Sequence, residues 1–225
     1  GADLFQIETC QDLLQTKAAY CAGMDAMKKY GREIPVIVQV TIENNGRMLL
    51  GTPLEAVVAA MSGFDLLALG LNCGTGPDAM HESVKLLKKM SPFPVSVLPN
   101  AGFPVFEEGK MKYSLTADEF AEHVSTFVRE YGVEFAGGCC GTAPEHISKA
   151  VALAGETRFD EPEGTLNKVC GVVSSTYASV ETDVDPKPLI IGERANATGS
   201  KEFREALLND DIDAMMEILS SQRSE

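Results

Sequence analysis

The chain has 225 residues, 44% hydrophobic and 23% charged, with a formal net charge of −14. These are the proportions of an ordinary globular protein and exclude disordered and fibrous classes. The 19 basic residues never cluster beyond pairs such as Lys28-Lys29, which argues against nucleic acid or an anionic membrane as partner, since phosphates are held by grouped Lys and Arg.

No run approaches the roughly 18 apolar residues of a membrane span. No signal or transit pattern is present, so a cytoplasmic protein is expected. Gly1-Ala2-Asp3 runs straight into an apolar strand without an initiator Met, and the chain is therefore expected to be a piece of a longer one.

In chain order, residues 4–9 (LFQIET) predict a strand, followed by helical spacing from Leu13 to Tyr30 and a stop at Gly31. Residues 35–42 (PVIVQVTI) predict a second strand, with a helix from Pro53 to Met61. Residues 66–73 (LLALGLNC) predict a third, with a helix from Pro77 to Met90, and residues 94–99 (PVSVLP) a fourth. After a loop near Glu107 to Lys112, a helix is expected from the N-cap Thr116 to Tyr131. Residues 135–140 predict a fifth strand, and Pro144 opens a helix to about Ala154.

Strands that alternate with helices, several of them unbroken apolar runs, indicate an α/β fold with a parallel sheet covered on both faces. A doubly wound sheet and a (β/α)₈ barrel both satisfy that pattern. Glu8-Thr9, Asn72-Cys73, Asn100 and Cys139-Cys140 all fall at C-terminal strand ends, and a barrel gathers all such ends at one mouth, so a TIM-type barrel is expected. Residues 1–155 supply about five of its eight βα units.

Residues 156–188 are polar and aperiodic and read as a linker, with a short pairing near Lys168 to Ser174. Residues 189–225 then offer a strand (LIIG) and helices over Lys201–Leu208 and Asp211–Gln222, the expected opening of a second barrel. Unpaired strand edges would make the piece prone to self-association.

Six cysteines are too few for a disulfide scaffold in a chain of this length. Cys10, Cys21 and Cys170 stand alone and are expected to be small buried apolar residues. Cys73 and the pair Cys139-Cys140 sit in glycine-rich turns instead. A regular strand would point adjacent cysteines to opposite faces, but Gly137, Gly138 and Gly141 allow the backbone to bend both sulfurs inward. Three thiolates with a fourth position free would suit a catalytic zinc. Spacing alone leaves open a vicinal Cys139-Cys140 disulfide, or three unconnected core cysteines.

The segments GLNCGTGP (70–77), VLPNAGFP (97–104) and GGCCGTAPEHI (137–147) resemble, in order and approximate spacing, the zinc-dependent homocysteine S-methyltransferase family. The resemblance covers residues 1 to about 155, starting near that family's fourth strand. It implies a (β/α)₈ barrel, zinc on Cys73, Cys139 and Cys140, and homocysteine as substrate. Glu8 and Asn100 match polar residues that hold the substrate's amino-acid end. A carboxylate can accept from an ammonium, and an Asn amide can bond either end. Taken without the resemblance, Glu8 is a strand-end ion-pair partner and Asn100 a turn former.

The tail, IIGERANATGSKEFREAL (190–207), is similar to the start of the pterin-binding domain in the cobalamin-dependent methionine synthase family, with Ala195 where ERTN is usual. That likeness implies a pterin contact at Asn196. It also implies methylcobalamin as methyl donor, recharged by methyltetrahydrofolate, with both cofactors bound by other domains. Homocysteine methyltransferases using betaine or methylmethionine, and a non-catalytic zinc or thiol redox module, are the competing readings. No D-x-H-x-x-G cobalamin motif occurs, and His81, His123 and His146 are expected to have surface or packing roles.

Overall fold

The computed structural model describes residues 2–107, 109–156, 171–183, 185, 192 and 194–224. In order, its elements are β1 (Phe5–Cys10), α1 (Leu13–Tyr30), β2 (Val36–Val40), α2 (Leu54–Met61), β3 (Ala68–Asn72), α3 (Pro77–Met90) and β4 (Val95–Leu98). A hairpin of β5 (Pro104–Glu107) and β6 (Lys110–Tyr113) leads to α4 (Ala117–Arg129), β7 (Phe135–Ala136) and α5 (Pro144–Ala154). A second hairpin, β8 (Val172–Ser174) and β9 (Ser179–Glu181), and two helices, α6 (Lys201–Leu208) and α7 (Ile212–Ser224), complete the described chain.

The helices begin and end where local chemistry dictates. Asp12 caps α1 by accepting from the Gln15 N–H at 2.7 Å, and Gly31 ends it in the left-handed region that favours glycine. Pro77 and Pro144 occupy first turns, where their missing N–H costs nothing. Thr116 and Glu119 cap α4 reciprocally, side chain to backbone in both directions.

The five long-range strands form one parallel sheet in the order β1-β2-β3-β4-β7. A doubly wound sheet reverses direction at a switch point; this one never does, and each of α1 to α5 packs on the next in sequence. It is therefore wound as a (β/α)₈ barrel wall is, with β1 and β7 as free edges rather than a closed ring. One face carries Val36, Val38, Val40, Leu69, Leu71, Val95 and Val97 into the helix layer, against Met80, Val84 and Leu87. Each such fully buried side chain contributes about 1.5–3 kcal/mol relative to exposure.

The opposite face is polar at its centre. Gln39, Gly70 and Ser96 share one register row across β2, β3 and β4. Gln39 Nε2 donates to Ser96 Oγ at 2.8 Å, over the intervening glycine. A Cβ on Gly70 would lie 2.0 Å from the Ser96 carbonyl oxygen, so only glycine permits this curl.

Two segments differ from the sequence-based expectation. The stretch expected as a loop near residues 107–112 forms the β5–β6 hairpin, whose residues are nearly all exposed and so carry no alternating pattern. The fifth strand pairs only at Phe135 and Ala136, because the glycines that follow turn the backbone out of the ladder.

The chain divides into two compact units, Gly1–Glu181 and Thr182–Glu225. Within the first, β8 and β9 pack on α2. Residues 157–170, 184 and 186–191 lie outside the described residues, and with them Cys170 and all but Gly192 of the strand expected at 189–192. In the second, α6 packs on α7, and Ser200 caps α6 by accepting from the Phe203 N–H at 3.2 Å. Among the described residues no helix is long and apolar enough to cross a membrane.

Candidate metal centre

The backbone at the C-terminal ends of β3 and β7 is bent in a way that serves sulfur placement rather than packing. Cys73 has φ 59° and Gly74 φ 70°, so the chain leaves β3 through two consecutive left-handed residues. A Cβ on Gly74 would meet the Ile42 carbonyl oxygen at 2.4 Å. Beyond β7 the backbone stays tied to the segment following β4. The Cys139 N–H donates to the Pro99 carbonyl at 2.7 Å, and the Ala101 N–H to the Cys140 carbonyl at 2.9 Å. Gly141, at φ 79°, lies under the Tyr113 ring, where a Cβ would approach ring carbon to 2.2 Å.

These bends bring three sulfurs together. Cys73 Sγ lies 3.7 Å from Cys140 Sγ, Cys139 and Cys140 Sγ are 4.0 Å apart, and all three fall within 4.8 Å of one another. A disulfide would need about 2.05 Å, so the vicinal pair is two free thiols. Zinc–sulfur bonds of about 2.3 Å in a tetrahedron set sulfurs roughly 3.8 Å apart. The 3.7 and 4.0 Å separations lie near that edge, and the all-sulfur donor set suits zinc over harder cations. Burial first, and then the charge of Cys73 and Cys140, push the Cys139 thiol up to about 11. Cys139 therefore holds its proton unless a cation takes its place.

Glu8 is exposed at the end of β1, where it accepts from Gln6 Nε2 at 2.9 Å. Asn100 is 6% exposed, and its Oδ1 accepts the Cys140 N–H at 3.1 Å. Half of that amide thus fixes a cysteine turn, a role the sequence did not suggest. Its Nδ2 has no hydrogen-bond partner among the described residues.

The model of the homocysteine S-methyltransferase family matches residues 1–154. The chain belongs to that family. It is 44% identical over 224 residues to a methionine synthase of Mycobacterium leprae (strain TN), covering 99% of this chain and 19% of that one. It is 42% identical over 222 residues to a methionine synthase of Mycobacterium tuberculosis (strain ATCC 25618 / H37Rv), covering 99% and 18%. The chain thus spans just under a fifth of the length of these relatives. Among solved structures, the apo form of the homocysteine methyltransferase MmuM from Escherichia coli superposes with a TM-score of 0.52 at 25% identity, over 68% of this chain and 50% of that one. The metallated form gives 0.51 at 25% identity, over 68% and 45%.

The remaining reactive side chains of this family member lie apart from the sulfur cluster. Cys10 is buried as expected, whereas Cys21 is exposed, on an outward face of α1. His81 and His123 join α3 to α4: His81 Nε2 is 2.8 Å from His123 Nδ1, and His81 Nδ1 is 2.9 Å from the Tyr131 hydroxyl. His146 Nδ1 accepts the Ala143 N–H at the start of α5. Sequence reasoning placed Thr9 and Asn72 at strand ends without giving either a role, and it missed Tyr113, whose ring covers Gly141. Asn72 adjoins Cys73, but neither periodicity nor composition marks its side chain. Tyr113 comes from a hairpin the sequence presents as a loop.

Proposed function

We propose that this chain is the homocysteine-activating part of a methionine synthase, with zinc held by Cys73, Cys139 and Cys140. The observation that carries the reading is the convergence of the three sulfurs within 4.8 Å, with two of the separations close to the edge of a tetrahedral zinc–thiolate site. Zinc bound there would supply Lewis acidity, lowering the pKa of an incoming thiol from about 8.5 so that a thiolate exists at neutral pH.

The chain's own residues do the rest. Glu8 accepts from the substrate ammonium, and the Nδ2 of Asn100 donates to its carboxylate end. The glycine turns at residues 74 and 141 keep the three ligand sulfurs converged without help from the metal. Cobalamin carried by another domain of the same enzyme would supply the methyl group to that sulfur, and methyltetrahydrofolate would recharge it. Three thiols this close suit a reducing compartment such as the cytoplasm.

The tail supports a methionine synthase over other homocysteine methyltransferases. The family match ends at residue 154, yet the likeness to the two methionine synthases continues over 99% of the chain. On this reading residues 189–225 begin a pterin-binding domain after a linker at 156–188, and Asn196 belongs to its folate site. Asn196 is exposed, with its Oδ1 accepting the Thr198 N–H at 3.0 Å.

X-ray absorption at the zinc edge tests the proposal. The zinc-loaded chain is expected to show three sulfur neighbours, rising to four when homocysteine is added. A count that does not rise, or a first shell dominated by nitrogen or oxygen, contradicts it.

A further inference from the structure

Asn72 is fully buried at the end of β3, and every polar atom of its carboxamide is engaged. Its Oδ1 accepts the Thr9 backbone N–H at 2.8 Å. Because a backbone N–H only donates, the orientation of the amide is fixed without appeal to hydrogen positions. Its Nδ2 donates to Thr9 Oγ1 at 2.9 Å and lies 3.8 Å from Cys139 Sγ. The Asn72 carbonyl in turn accepts from Thr41 Oγ1 at 3.0 Å, which ties the residue to β2 as well.

The partner of this clamp is unusual. Thr9 has φ 57°, a left-handed conformation that is rare and strained for a β-branched residue. The β1–β2 register slips between Ile7 and Cys10, so Glu8 and Thr9 form a bulge within β1 rather than regular rungs of the ladder. Such a conformation persists only where the surroundings over-determine it. Here two hydrogen bonds from one buried amide do so.

We propose that Asn72 is a positioning residue that fixes the Glu8–Thr9 bulge and the Cys139 sulfur against one another through a single carboxamide. This rests on the function proposed above: the bulge carries the carboxylate for the substrate's amino group, and Cys139 is a ligand of the metal that takes its sulfur. Homocysteine is then measured between two points whose separation is set by one rigid group. The N–H against Cys139 also draws electron density from that sulfur. Outer contacts to metal ligands of this kind commonly change affinity or activity by 10–100-fold when lost.

The test uses this chain loaded with cobalt(II) in place of zinc, and the variants Asn72→Leu and Thr9→Val. Both variants retain all three cysteines and are expected to take up one metal per chain. Asn72→Leu is expected to move the sulfur-to-cobalt charge-transfer absorption to lower energy and to weaken homocysteine about tenfold. Binding of 2-mercaptoethanol, which has no amino-acid end, should change little. Thr9→Val keeps the contact to Cys139 and should weaken homocysteine without moving the absorption. An unmoved absorption in Asn72→Leu together with equal losses for the two thiols, or with none, overturns the proposal. If circular dichroism shows that Asn72→Leu does not fold, Thr9→Val decides alone: parental homocysteine affinity in that variant overturns it. A parent chain that takes up no metal, or whose cobalt spectrum ignores homocysteine, refutes the proposed function itself, and the role of Asn72 falls with it.

Discussion

Two polar clusters lie in the first unit, and they are built on opposite principles. The imidazole cluster between α3 and α4 is self-satisfied: both ring nitrogens of His81 are spent, one on Tyr131 and one on His123, with the Phe127 ring packed alongside. The thiol cluster is gathered sulfur to sulfur, with Asn72 Nδ2 beside Cys139 Sγ at 3.8 Å. Its three sulfurs face a shared space, at distances too long for covalent bonding and matched to a common ligand. Reactive residue types are present in both. The difference is that one set of polar atoms points at partners within the protein, while the other converges within 4.8 Å as a ligand set does. Glycine marks that difference, because left-handed turns at Gly74 and Gly141 have no counterpart on the two helices.

Substitution should separate the clusters sharply. Replacing Cys73, Cys139 or Cys140 by Ala is expected to abolish stoichiometric zinc binding, read by metal analysis, while Cys10→Ala and Cys21→Ala leave it intact. Gly141→Ala, which must fit a methyl group into the Tyr113 ring at a strained φ, should cost about 2 kcal/mol or more in chemical denaturation. His81→Leu should cost about 1–3 kcal/mol, by leaving Tyr131 and His123 without a partner, and should not alter zinc content.

The clusters should also respond to pH in opposite directions. Burial, followed by the neighbouring His123, lowers the His81 pKa below its ordinary value of 6.5. The unfolded chain then binds more protons, so this contribution to stability is present above 6.5 and is lost as pH falls through the folded value. Cys139 in the metal-free chain is shifted up, to about 11 from 9.0. Its contribution is complete below 9.0 and is lost as pH rises through about 11. Denaturation of the metal-free chain across pH should show both flanks. Zinc loading should remove the alkaline one, since its ligands are already deprotonated. A weaker effect is expected at Thr116→Ala, about 1 kcal/mol from the lost cap of α4, with no change at the metal centre.

The legibility of this chain in its sequence follows the same division. Helices α3 and α5 begin and end where proline, periodicity and glycine place them, and the buried strands declare themselves as apolar runs. Those are local signals. The cysteine turns were visible because glycines bracket them. What the sequence concealed is long-range: the reach of Gln39 to Ser96 over Gly70, the hold of Asn72 on Thr9 across 63 positions, and the use of Asn100 to secure the Cys140 backbone. None of these leaves a periodic trace, because each depends on which strands become neighbours. The β5–β6 hairpin was hidden for a different reason, since it buries neither face.

The most direct measurement of the central claim is calorimetry of homocysteine binding to the zinc-loaded chain in two buffers of different ionisation heat. The free thiol, with a pKa of about 8.5, is mostly protonated at neutral pH. Capture as a thiolate on a centre of Cys73, Cys139 and Cys140 should therefore release about one proton per homocysteine bound. One zinc per chain, lost with any of the three cysteines, together with that proton, is the expected result. Binding with no proton release, or full zinc retention after Cys139→Ala and Cys140→Ala, would contradict it.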